Sequence, residues 1–270
     1  MKVLFIGDII GHLGRQIVKE LLPEIKKEEQ IDLAIANAEN AASGYGLTEK
    51  VYHELLDECQ IDVLTSGNHI WDKKEFINLL KDKDKTPRLI RPANYPSRAP
   101  GQDRLIVETR AGKIAVLNLL GRTFMPPMDC PFQTAEKILD EVSSITKNIL
   151  IDVHAEASSE KSALAWFLDG RVSAIIGTHT HVQTADEQIF PQGTAFITDV
   201  GMVGSKDSVI GMQKEEIIER FLSQIPVKFT VMKKGRRIFN AVVVDIDAKS
   251  GKANQIKRIN INLPAKEENK

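Results

Sequence analysis

The stretch Val172-Ser173-Ala174-Ile175-Ile176-Gly177-Thr178-His179-Thr180-His181 sets the terms for the rest of the chain. Its apolar run, Val172 to Ile176, reads as a buried strand, and two histidines one residue apart stand at the strand's mouth. In an extended segment alternate side chains share a face, so His179 and His181 are expected to point into one cleft. That is a common way to offer imidazoles to a metal ion. The pentapeptide Gly177 to His181 also admits a plainer reading, a pair of partly exposed loop histidines, because short His motifs recur by chance. Whether other strands end in the same way decides between the two.

They do. Val3 to Ile6 reads as a first strand ending at Gly7-Asp8, and Gly11 and Gly14 turn the chain into an amphipathic helix marked by Leu13, Ile17, Leu21, Leu22 and Ile25. Leu33 to Ala36 is a second strand that delivers Asn37, Glu39 and Asn40 to the small-residue loop Ala41 to Gly46. Thr48 is placed to cap the next helix, which carries Val51, Leu55 and Leu56. Ile61 to Leu64 is a third strand ending in Ser66-Gly67-Asn68-His69, and Asp72 and Glu75 have capping-box spacing for a helix through Leu80. Ile149 to Val153 ends at His154-Ala155-Glu156, with Ser158 or Ser159 placed to cap a helix through Leu168. Polar residues after each strand of a strand–helix alternation mark a parallel α/β sheet, whose sites lie outside the carboxyl ends of its strands.

Between these units Pro87, Pro92, Pro96 and Pro100 punctuate an extended segment. A hairpin follows, Leu105 to Thr109 and Ile114 to Leu120 about a turn at Ala111-Gly112. Gly121 to Phe132 holds three prolines and is expected to border the cleft as a loop, and helical spacing returns from Thr134 to Ile145. After Val182 the pattern becomes mostly β, with Ala195 to Thr198, Val227 to Met232, Ile238 to Ile246 and a strand near Ile256 to Ile261, interrupted by a helix from Lys214 to Leu222. The residues from about 264 read as a polar tail. The expectation for residues 1–270 is one domain with two sheets and outer helices, in the α/β (α+β) class.

Lys+Arg 36 against Asp+Glu 37 gives a formal net charge of −1, so no bulk basic field exists to hold a long nucleic acid. A nucleotide-sized ligand held by local groups remains open. Cys59 and Cys130 are too few for a disulfide framework or a metal knuckle and read as free thiols in a reducing compartment. The start, Met1 to Asp8, is too short and too quickly charged for a signal peptide, and no apolar run reaches membrane-spanning length. A cytoplasmic protein without a membrane partner is expected.

The strand ends together present Asp8, Glu39, Asn40, Asn68, His69, His154, His179 and His181: carboxylates, amides and imidazoles, with no thiolate. That donor mix suits iron, manganese or zinc better than magnesium alone or copper(I). Singly, each has an ordinary explanation: Asp8 as a turn cap, Asn40 and Asn68 as Asx turns, His154 as a satisfied core histidine. Their joint placement is what points to a metal site.

Gly7-Asp8, Glu39, Gly67-Asn68-His69, His154 and Gly177-Thr178-His179-Thr180-His181 resemble, in order, the motifs of calcineurin-like metallophosphoesterases. The similarity is closer to one branch, the YmdB-type bacterial 2′,3′-cyclic-nucleotide 2′-phosphodiesterases. It is carried by Gly7-Asp8-Ile9-Ile10-Gly11, Ala38-Glu39-Asn40-Ala41-Ala42, Gly67-Asn68-His69-Ile70-Trp71-Asp72 and Thr198-Asp199-Val200-Gly201-Met202, and it runs from Met1 to about Leu263. The resemblance implies a four-layer αββα two-sheet sandwich of the metallophosphoesterase type. It implies two metal ions, iron or manganese ahead of zinc, one on Asp8, Glu39, Asn40 and His181 and the other on Glu39, Asn68, His154 and His179, with Glu39 bridging. It further implies hydrolysis of small cyclic nucleotides, 2′,3′-cyclic and 3′,5′-cyclic AMP, by attack of a metal-bridging hydroxide, with His69 as proton donor. Two alternatives stand beside it: a phosphomonoesterase or nucleotidase with the same centre, and a regulatory protein whose metal site senses a ligand. A homo-oligomer, dimer or tetramer, is the implied assembly.

The sequence departs from the wider superfamily at Ile10, where His is usual and Asn40 fills the vacancy. It departs at Glu39, where Asp is usual, and at Ile70, where an acid often orients the preceding imidazole; Asp72 is the candidate to replace it. For His69 the alternative role is to orient Asn68 only. Tyr45 is a candidate to stack on a base and Arg122 to meet a phosphate. His12 either lines the cleft or marks the start of its helix, and His53 reads as a surface residue.

Overall fold

The computed structural model describes residues 1–266. In chain order its elements are β1 (Lys2–Ile6), β2 (Asp8–Ile9), α1 (Gly11–Glu28), β3 (Leu33–Asn37), α2 (Glu49–His53, continued by a π turn over Glu54–Glu58), β4 (Val63–Thr65), α3 (Lys74–Leu80), β5 (Arg104–Thr109) and β6 (Gly112–Leu120). Then come α4 (Pro131–Val142), β7 (Ile149–His154), α5 (Ser158–Phe167), β8 (Ala174–Thr178), β9 (Gln188–Ile189), β10 (Ala195–Ile197), β11 (Met202–Ser205), α6 (Lys214–Ser223), β12 (Arg237–Ile246) and β13 (Ala253–Leu263). One sheet has the order β2-β11-β12-β1-β3-β4, with β13 laid along β12, and the other has the order β5-β6-β7-β8-β10-β9.

The two-residue period of the strands builds the layers. On the first sheet Val3, Phe5 and Ile35 point one way, onto Val116, Leu150 and Ile176 of the second sheet. Leu4, Ile6, Ala34 and Ala36 point the other way, onto Leu13, Ile17 and Leu22 of α1. The outer face of the second sheet packs Leu117, Ile151 and Ile175 against Ile138 and Leu139 of α4 and Leu164 of α5. Strands buried on both faces read as unbroken apolar runs, which is why they stand out in the sequence. The αββα sandwich expected from the sequence is what the chain forms.

β1, β3 and β4 are parallel in one sheet, and β6, β7, β8 and β10 in the other. Their carboxyl ends therefore gather at one edge of the sandwich. Thr48 caps α2 as expected, its hydroxyl accepting from the Val51 amide at 3.3 Å.

Several local readings change. Asp72 does not cap α3; Lys73 holds that position without a side-chain bond, and the Asp72 carboxylate turns to His69 instead. Neither Ser158 nor Ser159 caps α5, because the helix starts with them and Ala157 precedes. α4 begins three residues before Thr134, with Pro131 in the first turn where its missing N–H costs nothing, and ends at Val142. Val227 to Met232 forms no strand: Val231 makes a single bridge to Met212, and its side chain joins a small cluster with Met202 and Ile217. Cys59 is buried and Cys130 half-buried, both unpaired, and burial pushes the Cys59 thiol up to about 12. Of the polar tail, Pro264 to Lys266 follow β13 in no regular element, and residues 267–270 lie outside the described residues. Among the described residues no helix is long and apolar enough to cross a membrane.

Candidate metal centre

Asp8, Glu39 and His154 are completely buried and Asn40 is nearly so, although all four sit at strand ends. They converge. Asn40 Nδ2 lies 3.3 Å from both Asp8 Oδ1 and Glu39 Oε1, and 3.2 Å from His181 Nε2. Glu39 Oε1 lies 3.0 Å from His154 Nε2, which lies 3.2 Å from Asn68 Oδ1 and 3.0 Å from His179 Nδ1. One donor atom each from Glu39, His154 and His179 falls within 4.8 Å of the others, a spacing that one cation spans. Close approach is built into the chain: a methyl on Gly67 would stand 2.3 Å from His154 Cδ2 and 2.4 Å from Glu39 Oε2. Only a bare residue lets Asn68 in.

The two histidines of the opening stretch reach the cluster by a different route from the one expected. β8 stops at Thr178, and His179 and His181 both take positive φ, 98° and 64°. For residues with a Cβ such left-handed backbone is strained and persists only when the surroundings fix it. Extended alternation would have sent both rings the same way. The left-handed turn instead aims His179 Nδ1 at His154 and His181 Nε2 at Asn40 and, at 3.5 Å, Asp8 Oδ1.

The outward ring nitrogen of each imidazole is engaged, which fixes the inward one. His181 Nδ1 donates to the Ile210 carbonyl at 2.8 Å, so Nε2 of the neutral ring carries the lone pair. His179 Nε2 meets the Glu156 carboxylate at 3.2 Å. The Thr178 hydroxyl donates to Asp152 Oδ1 at 2.7 Å and therefore accepts from His154 Nδ1 at 2.9 Å. Asp152 is itself held by Thr65 Oγ1 at 2.5 Å and Asn37 Nδ2 at 3.1 Å. Metal-binding histidines are typically anchored this way through their second nitrogen. The electrostatics agree. Burial alone would raise the Asp8 carboxyl, but the His181 imidazole outweighs it and holds the group well below the usual carboxylate range. Glu39 is lowered too, His154 winning over burial. In return Asp8, against the opposing pull of burial, lifts His181 to about 9, while burial and the charge on His154 drop His179 to about 3. Protons on imidazole thus balance the buried carboxylates, and a cation would compete for the same nitrogens and displace them. The donor set fits divalent metal. Asn40 alone points the wrong end inward; as a ligand its amide would turn over to present Oδ1, an orientation that follows the hydrogen-bond network.

His69 borders the cluster, its backbone N–H donating to Glu39 Oε2 at 2.9 Å. Its Nδ1 lies 2.8 Å from Asp72 Oδ2, so Asp72 supplies the orienting acid that Ile70 does not. The half-buried Tyr45 ring meets His69 edge-on with centroids 5.0 Å apart. Arg122 is exposed and its backbone N–H binds Glu160; among the described residues no hydrogen bond or ion pair joins its guanidinium to the cluster. The loop carrying Arg122 does leave β6 beside the site, the Gly121 amide bonding the His154 carbonyl at 3.0 Å. His12 and His53 lie exposed on α1 and α2. Sequence reading passed over Asp152, Thr178 and Glu156 as functional groups. The available signal for Asp152 was a lone charge inside the apolar strand Ile149 to Val153.

Comparison with known proteins identifies the family and the fold. Residues 4–259 match the model of the family described as YmdB-like protein. The chain is 50% identical over 262 residues, 97% of each sequence, to a Bacillus subtilis (strain 168) protein named 2′,3′-cyclic-nucleotide 2′-phosphodiesterase. A crystal structure described as a novel phosphatase from Mycoplasma pneumoniae superposes with a TM-score of 0.90 at 36% identity, covering 98% of this chain and 94% of that one. At 14% identity a Staphylococcus aureus putative 5′-nucleotidase shares the fold, with a TM-score of 0.58 over 99% of this chain and 55% of its own. With family, relative and fold agreeing along nearly its whole length, the chain belongs to the YmdB-like family.

Proposed function

We propose that this chain is a metal-dependent phosphodiesterase that opens 2′,3′-cyclic nucleotides to 3′-phosphates, and that also takes 3′,5′-cyclic AMP. The observation that carries the reading is the convergence of two fully buried carboxylates, Asp8 and Glu39, with three imidazoles whose outer nitrogens are already engaged. The name of the Bacillus subtilis relative supports the diester substrate. Asp8, Glu39, Asn40 and His181 would hold one ion, and Glu39, Asn68, His154 and His179 the other, iron or manganese ahead of zinc. When bound, two such ions acidify water and clamp the oxygens of a phosphoryl group undergoing in-line displacement.

The remaining steps belong to the protein. Only Asp8 and Glu39 bring charge to the ligand set, so the loaded centre stays cationic and attracts the anionic diester. Glu39 Oε2 ties the His69 backbone to the bridging position, and Asp72 accepts from His69 Nδ1. That leaves His69 Nε2 as the atom from which a proton would pass to the departing ribose oxygen as the P–O bond breaks. Tyr45 braces the ring from its edge and offers a face to the base. In the test, 2′,3′-cyclic AMP and bis-(p-nitrophenyl) phosphate should be hydrolysed in step with metal content, and p-nitrophenyl phosphate poorly. Cleavage of the monoester alone would replace this reading with a phosphatase.

Since His179 and His181 face different neighbours, their alanine variants should each lose one ion of the pair. Elemental analysis should find about half the wild-type metal in both, and together they should show opposite residual sites by cobalt absorption; identical residual spectra would sink the split. A homo-oligomer, dimer or tetramer, is further inferred from α6, where Phe221 and Leu222 are 73% and 78% exposed beside exposed Ile218. Light scattering should give a multiple of the 30.1 kDa chain mass, and a monomer mass at micromolar concentration would refute it.

A further inference from the structure

We propose that Lys161 and Asp199 form a positioning pair that sets three donors of the metal centre at once. The proposal rests on the reading of that centre given above and adds to it a group with no contact to the metal. Both side chains are completely buried, and Lys161 Nζ lies 2.8 Å from Asp199 Oδ2. An ion pair wholly removed from water is costly to build, and α5 packs on the sheet through the apolar Leu164 and Ala165.

What the pair touches explains its position. Lys161 Nζ donates at 2.7 Å to the carbonyl of Thr178, the last residue of β8 before the chain turns left-handed. Asp199 Oδ2 accepts the Thr180 amide at 3.0 Å, so the pair grips the backbone on both sides of His179 and directly before His181. The other oxygen, Oδ1, accepts the Gly201 amide at 2.9 Å, and the Gly201 carbonyl in turn accepts the Asp8 amide at 3.0 Å. One carboxylate thus references His179, His181 and Asp8 to a common point. Gly177 clears the path: a methyl there would stand 2.9 Å from Lys161 Cδ and 1.7 Å from the Thr198 carbonyl. The strained φ values of the two histidines are over-determined by this clamp, as such strain must be.

Equilibrium dialysis against Mn²⁺, paired with thermal melts of the metal-free protein, tests the assignment. Lys161→Met and Asp199→Asn should each weaken Mn²⁺ binding about 10- to 100-fold, the range found when groups that orient metal ligands are removed. Each single variant also leaves a buried group unpaired and can lose stability for that reason alone. The double variant Lys161→Met/Asp199→Asn removes both charges and should regain a melting temperature near wild type, yet keep the weakened affinity. Recovery of both stability and affinity in the double variant would show a purely structural pair and overturn the proposal. So would wild-type affinity in either folded single variant. Wild-type protein that binds no Mn²⁺ would instead overturn the reading of the metal centre, and the clamp with it.

Discussion

Glu39→Gln should reduce hydrolysis of 2′,3′-cyclic AMP by on the order of 10³-fold, at the upper end of what one preorganised electrostatic group contributes. The substitution keeps the shape of the side chain and changes its charge. Glu39 is fully buried, with Oε1 3.0 Å from His154 Nε2 and Oε2 accepting from the His69 amide at 2.9 Å. A glutamine in this place must present its NH₂ group to one of those two neighbours. Toward His69 it opposes a backbone donor; toward His154 it occupies the lone pair needed for metal. Because the carboxylate lies between both sets of donors, the variant should lose both ions together, unlike the variants at His179 and His181. Metal analysis of purified protein alongside initial rates checks this. A Glu39→Gln protein with two ions and an unchanged rate would refute the bridging role.

His69→Ala should lower kcat by roughly 10²- to 10⁴-fold, the usual worth of a positioned general acid, while metal content stays at the wild-type level. The leaving group discriminates between the two roles considered for His69. A ribose alkoxide needs a proton as it departs, whereas p-nitrophenolate leaves readily without one. The loss should therefore be large on 2′,3′-cyclic AMP and small on bis-(p-nitrophenyl) phosphate. If His69 served only to orient Asn68, both substrates would suffer alike and metal would be lost. Asp72→Asn keeps the imidazole but weakens the 2.8 Å contact that orients it, and should fall between wild type and His69→Ala on the cyclic nucleotide.

Much of the sandwich is legible in the sequence because its strands are buried on both faces. Val3 to Ile6 and Leu33 to Ala36 are wholly apolar, Val172 to Ile176 carries one small polar residue and Ile149 to Val153 a single charge, and each run is followed within one to three residues by polar groups. The residues that converge are those polar followers, so the candidate site could be read from the same pattern as the fold. What escaped depends on non-local partners. The bond between Thr178 and His154 joins β8 to β7, and no periodicity reports it. Asp72 has the spacing of a cap, yet the nearby imidazole three residues back wins its carboxylate. The left-handed turn at His179 and His181 contradicts the backbone preference of both residues and exists only because buried groups hold it. Val227 to Met232 has the composition of a strand, but Val231 finds its apolar partners in Met212 and Ile217 instead of in a ladder.

The donors come from two sheets. Asp8, Glu39, Asn40 and Asn68 follow strands of the first, and His154, His179 and His181 follow strands of the second. The first sheet also places β12, from Arg237–Ile246, directly against β1. A ribosome must therefore release nearly the whole chain before β1 has both of its neighbours and Asp8 its final frame. No amino-terminal fragment that stops short of His181 contains all seven donors. The centre is thus a late product of synthesis, and topology alone keeps a nascent or truncated chain from assembling it.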